Sequence, residues 1–343
     1  MATTQVEYRR LGKTGLRVSV PVTGAMSFGS KEWGSWIIEE EQSIEILKAA
    51  WDKGINTIDT ANIYSNGESE RIVGNFVQKH QIPRNEIIIA TKCYGLVGKA
   101  PGIHGYFQAN LKDQRDYVNQ SGLSRAAIFN SVEASLERLQ TNYIDLLQIH
   151  RYDPDTDPEE TMKALHDLVQ SGKVRYIGAS SMRTWQFALL NEIADKRGWT
   201  KFVSMQNEYS LLYREEEREM LAYCKYNGIG VIPWSPLAGG ALARPLGVET
   251  ARTEFIKGTP LETKHSDADI TTINRVKELA EKHGKKMSQV AIAWASTKIT
   301  SPIVGVSSVV RLEESLTKGF TLSEEEVKYL EEPYVPKPVR GHA

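Results

Sequence analysis

The stretch SRAAIFNSVEASLERLQTNYIDLLQIHRYDPDTDPEETMKALHDLVQSGKVRYIGAS, residues 124–180, decides the fold. It reads as helix, strand, helix, strand. Ser124–Leu139 opens on a serine able to cap a helix and carries Ile128, Val132, Leu136 and Leu139 along one stripe. Ile144–His150 is apolar at most positions, as a strand buried on both faces must be. Pro158–Gln170 starts with a proline suited to the first helical turn, and Val174–Ser180 is again strand-like. Strands joined by crossover helices imply a parallel sheet.

The alternation extends in both directions. Val20–Phe28, Asn56–Thr60 and Ile87–Lys92 precede this stretch as candidate strands, and Phe202–Gln206, Gly228–Trp234 and Pro302–Val306 follow it. Helices are predicted over Glu41–Lys53, Thr184–Arg197, Arg214–Tyr226 and Ser288–Thr297, with another starting near Gly67. Eight strands alternating with helices fit an α/β fold, either a closed (β/α)8 TIM barrel or an open doubly wound sheet. The missing G-x-G-x-x-G fingerprint and the regular spacing of the middle units favour the barrel. Tyr8–Val20, centred on Gly12-Lys13-Thr14-Gly15, reads as an N-terminal β-hairpin. Val309–Lys318 and Ser323–Leu330 read as extra C-terminal helices. We predict one barrel domain over residues 1–343, with insertions at about 93–123 and 237–270. Both insertions follow strands, which places them on the C-terminal face where barrel active sites form.

Composition narrows the function. A length of 343 residues suits one large barrel, and 41% hydrophobic with 25% charged residues suits a globular protein. Lys plus Arg number 42 against 43 Asp plus Glu, so no basic excess points to nucleic acid or a membrane surface. Cys93 and Cys224 form no C-x-x-C pair, which argues against a disulfide framework or thiolate zinc site. No H-E-x-x-H or H-x-H motif occurs, so no metal site is expected. Met1–Arg10 lacks an apolar signal core, and no run reaches a membrane span, so a cytoplasmic location is expected.

Buried strands should end in polar residues only where they meet solvent or a site. Asp59, Lys92, His150 and Gln206 each close a candidate strand, and Tyr64 lies just past Asp59. In a barrel these ends face one cavity. An ammonium beside a tyrosine favours the phenolate and lowers the phenol pKa. Asp59 could keep Lys92 charged and oriented, while His150 could hydrogen-bond a carbonyl beside the Tyr64 hydroxyl. Such a group polarises a carbonyl and protonates the alkoxide that forms when hydride arrives.

Six segments carry a family resemblance. They are Asp59-Thr60-Ala61-Asn62-Ile63-Tyr64, Ala90-Thr91-Lys92, Asp145–His150, Gly172–Ser180, Gln206-Asn207-Glu208-Tyr209 and Trp234–Gly240. The chain resembles the aldo-keto reductases from about Tyr8 to Leu330, with the motifs in family order. The resemblance maps the family's catalytic tetrad onto Asp59, Tyr64, Lys92 and His150. It implies a nicotinamide cofactor, usually NADPH, lying across the barrel without a Rossmann domain. Ser180, Ser181 and Gln206 would hold the carboxamide end, and Trp234 would stack on the ring. Ser235, Pro236, Leu237, Gly239 and Gly240 would cover the pyrophosphate. Gly305, Ser307, Arg311, Glu314 and Ser315 would bind the adenosine half, with Arg311 on the 2′-phosphate of NADP. Ser181 and Ser315 stand where many relatives have Asn, and Gly305 where some have Lys. The phosphate therefore has fewer obvious cations here.

The barrel mouth is expected to be aromatic. Phe28, Trp33 and Trp36 follow the first strand; Tyr94, Tyr106, Phe107 and Tyr117 occupy the first insertion; Arg151 and Tyr152 follow the fourth strand. Aromatic walls favour aryl or bulky apolar carbonyl substrates over small sugars. The run His150-Arg151-Tyr152-Asp153 most resembles fungal and plant-like members acting on aryl aldehydes or secondary-metabolite ketones. The expected partner is thus a small-molecule carbonyl, with the oligomeric state open. Two rival readings use the same residues. One is a barrel aldolase with Lys92 as Schiff base. The other is a regulatory subunit of potassium channels, whose known examples carry an additional N-terminal segment, whereas only a few residues precede the hairpin here.

Overall fold

The computed structural model describes residues 4–103, 109–259 and 264–342. Strands β1 (Glu7–Arg10) and β2 (Arg17–Val20) form the antiparallel hairpin. The parallel strands are β3 (Val22–Gly24), β4 (Thr57–Asp59), β5 (Ile88–Cys93), β6 (Ile144–Ile149), β7 (Val174–Ser180), β8 (Ser204–Gln206), β9 (Gly230–Val231) and β10 (Ile303–Gly305). Their spatial order is β10-β3-β4-β5-β6-β7-β8-β9. At the remaining seam Ile303 N donates to Pro233 O at 2.9 Å and Thr300 N to Val231 O at 2.9 Å, so the sheet curls toward closure. This is the (β/α)8 architecture expected from the alternation.

Helices α1 (Glu40–Asp52), α2 (Glu68–Lys79), α3 (Arg125–Leu139), α4 (Pro158–Gln170) and α5 (Thr184–Arg197) pack on their sequence neighbours around the sheet. Their ends follow local chemistry. Ser124 accepts from Ala127 N to start α3, and Asp157 accepts from Glu159 N ahead of Pro158 in α4. The expected helix Arg214–Tyr226 is interrupted. A 3-10 turn, Glu215–Glu217, precedes α6 (Met220–Asn227) because Glu215 and Glu217 turn into contacts with Tyr334, Lys337 and Arg214. The second insertion contains α7 (Ala251–Ile256) and runs into α8 (Asp267–His283), a long helix outside the sequence expectation. Its signal was the Ser266/Asp269 capping box.

Helix α9 (Met287–Ser296) is followed by α10 (Val309–Glu313) and α11 (Glu324–Glu331). Helix α10 stops short of the expected Lys318. The Ser288 hydroxyl and the Gln289 amide take the carbonyls of Glu314 and Leu316 at 2.6 and 2.7 Å, drawing the chain out of helix.

Period-two alternation divides each strand's residues between two cores. Ile58, Ile89, Leu147, Ile177 and Met205 face the helices. Val22, Ile88, Ala90, Leu146, Ile232 and Ile303 meet Leu11 and Val18 of the hairpin, which plugs the N-terminal end of the barrel. Above that floor the inward residues turn polar.

Candidate active site

The upper interior layer holds Asp59 of β4, Lys92 of β5, Gln148 of β6 and Gln206 of β8, all buried. Register places Lys92 opposite Gln148 and Ser180 opposite Gln206. The Lys92 ammonium donates to Asp59 Oδ1 at 2.5 Å, to Thr60 O at 2.9 Å and to Tyr64 Oη at 3.3 Å. Burial disfavours its charge, but Asp59 and Tyr64 outweigh that effect and hold the lysine pKa above its usual value. A lysine held protonated is no nucleophile, which weighs against the aldolase reading.

Tyr64 reaches this lysine from an unusual turn. Ser65, Asn66 and Gly67 follow it with φ of 47°, 52° and 94°. Two non-glycine residues in the left-handed region cost about 1–2 kcal/mol each, so the surroundings must hold the turn. Asn66 does so: its Nδ2 donates to Ala100 O at 2.8 Å and Ile103 O at 2.7 Å, and its Oδ1 accepts from Gly98 N at 2.8 Å. Burial pushes the Tyr64 phenol above its ordinary value, and the Lys92 charge only partly offsets this. The expected lowering by lysine is therefore one opposing contribution, and the phenol retains its proton at neutral pH.

His150 is buried, with its ring edge-on to Tyr64 at 6.0 Å and 81°. Its pKa lies well below the usual histidine value because of burial and then the Lys92 and Arg151 charges. Its Nδ1 is buried without a hydrogen-bond partner among the described residues. Arg151 folds back to donate to His150 O at 2.6 Å.

Asp59 Oδ2 accepts from Gln148 Nε2 at 3.0 Å and from Gln206 Nε2 at 2.9 Å, and Gln206 Nε2 also donates to Gln148 Oε1 at 2.9 Å. Gln148 sat unnoticed inside an apolar run. Counting two residues back from His150 on the same strand face would have found it. Its room comes from Gly178, where a Cβ would lie 2.2 Å from Ser204 Oγ and 3.1 Å from Gln148 Cγ.

The residues expected to hold a dinucleotide border this layer. Ser180 Oγ donates to Gln206 O at 2.8 Å. Ser181, at φ 45°, accepts from Trp234 Nε1 at 3.1 Å. Trp234 is half-buried and belongs to neither apolar core. Ser235, Ala238, Gly239 and Gly240 all have left-handed φ, Pro236 is buried, and Leu237 packs on the core. Gly305, Ser307 and Arg311 are exposed, and Arg311 donates to Glu314 at 2.8 Å. Ser315 is buried and donates to Leu312 O at 2.6 Å, so its hydroxyl faces the protein.

Arg244 was missed in the sequence because its loop has no strand or helix period. Its Nε is buried without a partner, and no carboxylate pairs with it among the described residues. Burial and the nearby Arg311 charge disfavour its own charge. Two guanidiniums thus share a locality in which only Arg311 has a carboxylate, an arrangement suited to an anion.

The aromatic expectations divide. Phe28 is fully buried in the core between sheet and helices, where an apolar side chain gains most, and so does not line the mouth. Tyr117 accepts from Lys99 N at 3.2 Å and faces Asn62 and Arg138 across a cavity against α3, away from Tyr64. Tyr94, Trp33 and Trp36 are half-buried, and Tyr152 packs edge-on to Trp185 at 6.2 Å. Tyr106 and Phe107 lie outside the described residues.

The C-terminal segment also reaches the site. Arg340 clamps Glu208 with bonds of 2.6 and 3.0 Å, and a Cβ at Gly341 would sit 3.6 Å from Trp234 Cζ2. Among the described residues no group of three or more His, Cys, Asp or Glu could hold a metal ion, and no helix is long and apolar enough to cross a membrane.

An NAD(P)H-dependent reductase is the class that this barrel, with its lysine-bound tyrosine, defines. Residues 22–334 match the aldo/keto reductase family model. The chain is 52% identical to an aldo-keto reductase of Fusarium vanettenii, over 99% of this chain and 94% of that one. It is 48% identical to versiconal hemiacetal acetate reductase of Aspergillus parasiticus, over 97% and 98%. It is 49% identical to a provisionally named aryl-alcohol dehydrogenase of Schizosaccharomyces pombe, over 97% of each. The chain belongs to the aldo/keto reductase family, whose members reduce carbonyls to alcohols.

Proposed function

We propose that the protein uses NADPH to reduce aromatic or bulky apolar aldehydes and ketones, with Tyr64 as the proton donor. The observation that carries this reading is the Lys92 ammonium, 3.3 Å from the Tyr64 hydroxyl and anchored on Asp59. NADPH, when bound, supplies the hydride. Tyr64 gives its proton to the carbonyl oxygen, and Lys92 eases the loss by stabilising the phenolate. Neutral His150 can present one ring N–H to the same oxygen without competing as an acid. Asp59 keeps Lys92 charged.

The residues suit the cofactor. Ser180, Ser181, Gln206 and Trp234 would hold the nicotinamide end, and the Ser235–Gly240 loop the pyrophosphate. Gly305, Ser307, Arg311 and Glu314 would serve the adenosine half. Arg244, without a carboxylate partner among the described residues and beside Arg311, supports a phosphorylated cofactor. With Ser315 turned inward, its part there would be to hold the α10 end rather than to touch the ligand.

Tyr94, Trp33, Trp36 and Arg151 support an apolar pocket with one cationic edge. Relatives named for aryl alcohols and for versiconal hemiacetal acetate agree with that chemistry. Two buried, unpaired cysteines agree with a cytoplasmic location. The test is NADPH absorbance loss over a carbonyl panel, comparing kcat/KM for a substituted benzaldehyde and for xylose. Preference for the sugar would overturn the aromatic-pocket reading, and no turnover of any carbonyl would overturn the reductase reading.

A further inference from the structure

We infer that Gln148 is a positioning residue that, together with Asp59, holds the Gln206 amide with one fixed end toward the nicotinamide. This rests on the reading above that Gln206 meets the carboxamide. A carboxylate only accepts hydrogen bonds, so the atom each amide turns to Asp59 Oδ2 must be its nitrogen. That contact sets Gln148 first: its Nε2 points at Asp59, and its Oε1 is left facing Gln206. Gln206 Nε2 then lies 2.9 Å from Asp59 Oδ2 and 2.9 Å from Gln148 Oε1, which uses both of its N–H bonds. A flipped Gln206 would set its oxygen against two acceptors in a site where both glutamines are almost wholly buried.

The remaining Gln206 Oε1 takes no hydrogen bond from any described residue. Gln206 therefore meets a ligand as an acceptor only. Its complement is the amino group of a carboxamide. The triangle Asp59–Gln148–Gln206 also joins the Lys92–Tyr64 pair to the cofactor end of the barrel through a single carboxylate. Without Gln148, Asp59 still selects the nitrogen, but one Gln206 N–H loses its partner and the amide can rotate about its single remaining bond, so Oε1 no longer stands in one place.

The test uses binding, read by quenching of protein fluorescence. Two probes are titrated: NADP⁺ and its 3-acetylpyridine analogue, in which a methyl replaces the carboxamide amino group. The wild-type protein should prefer NADP⁺ by about fivefold, as one neutral hydrogen bond allows. Gln148→Met should weaken NADP⁺ more than the analogue and so narrow the ratio below the wild-type value, while the Asp59 bond to Gln206 keeps it above one. Gln148→Asn withdraws the amide by one methylene while keeping a polar group in the cavity, and should give the same result if the methionine variant does not fold. A merely structural role would weaken both probes equally and preserve the ratio, which would overturn the inference. Gln206→Met separates the two levels of the argument. If it leaves the wild-type ratio intact, Gln206 does not meet the carboxamide. If it abolishes the ratio while the Gln148 variants retain it, only the role of Gln148 falls.

Discussion

The Trp234 indole donates its N–H to the Ser181 hydroxyl at 3.1 Å, across the gap between the β7 and β9 strand ends. The Ser181 hydroxyl thus fixes the plane of the aromatic ring proposed to face the nicotinamide. Ser181→Ala should leave the indole without its acceptor and weaken cofactor binding by about 1 kcal/mol, roughly fivefold. Fluorescence titration checks this. Unchanged affinity would mean that the ring is held by packing alone.

Tyr64→Phe removes the proposed acid and keeps the ring. Turnover should fall at least about a hundredfold while dinucleotide affinity is retained. Lys92→Met should lower turnover similarly, because the phenol loses the charge that opposes its burial. Single-turnover rates alongside equilibrium titration separate the two quantities.

The pH profile of reduction follows from three displaced groups. Tyr64 lies above 10.0, Lys92 above 10.5 and His150 well below 6.5. Across neutral pH the site therefore holds a protonated phenol, an ammonium and an uncharged imidazole. Turnover should be flat from about pH 6 to about pH 9 and decline only as the phenol ionises. A histidine-like limb between about pH 6 and 7 would show that His150 changes charge during the reaction.

Arg244 and Arg311 should set the preference for the phosphorylated cofactor. Arg311→Ala is expected to weaken NADPH by about 1.5–3 kcal/mol and NADH far less. Arg244→Ala should cost more than Arg311→Ala, because Arg311 already shares its charge with Glu314. Equal losses for the two cofactors would place either residue elsewhere than at the 2′-phosphate.

Glu216 offers a stability test away from the reaction. It is buried, accepts from Asn207 Nδ2 at 3.0 Å, and is pushed up to about 8 by burial and by Glu208 and Glu215. The unfolded chain loses this proton near the ordinary value of 4.5, whereas the folded chain keeps it to about 8. Stability must therefore decline as pH rises through that interval and then level off. Glu216→Gln should remove the slope and raise Tm at about pH 8.5 by a few degrees, with little change at about pH 5. Melting curves across that range decide it.

Much of this molecule was readable because its strands obey a strict period. The alternation located all eight parallel strands, and polar strand ends marked Asp59, Lys92 and Gln206 in one layer with His150 above them. Gln148 escaped because leucine and isoleucine neighbours disguised an inward polar position as part of an apolar run. Arg244 escaped because loops carry no period, and its significance lies in a missing partner, which a sequence cannot display. Phe28 was assigned to the mouth because chain order placed it after a strand, yet its side chain turns into the helix layer. The interruption near Arg214 was hidden because one of the acids that break the helix, Glu215, answers to Tyr334 and Lys337, more than a hundred residues away.

The three bonds from Asn66 to Gly98, Ala100 and Ile103 bear on how such a protein can diversify. The turn after Tyr64 keeps Ser65 and Asn66 in the left-handed region, and the first insertion lies against it. Asn66 ties one to the other. Descendants may rebuild the outer part of residues 93–123 for new ligands, but the backbone beside Asn66 must keep its place. Selection for a new specificity would therefore reach the acid through Asn66, alongside the Asn62 contact to Gly95, and changes there would alter rate and recognition together.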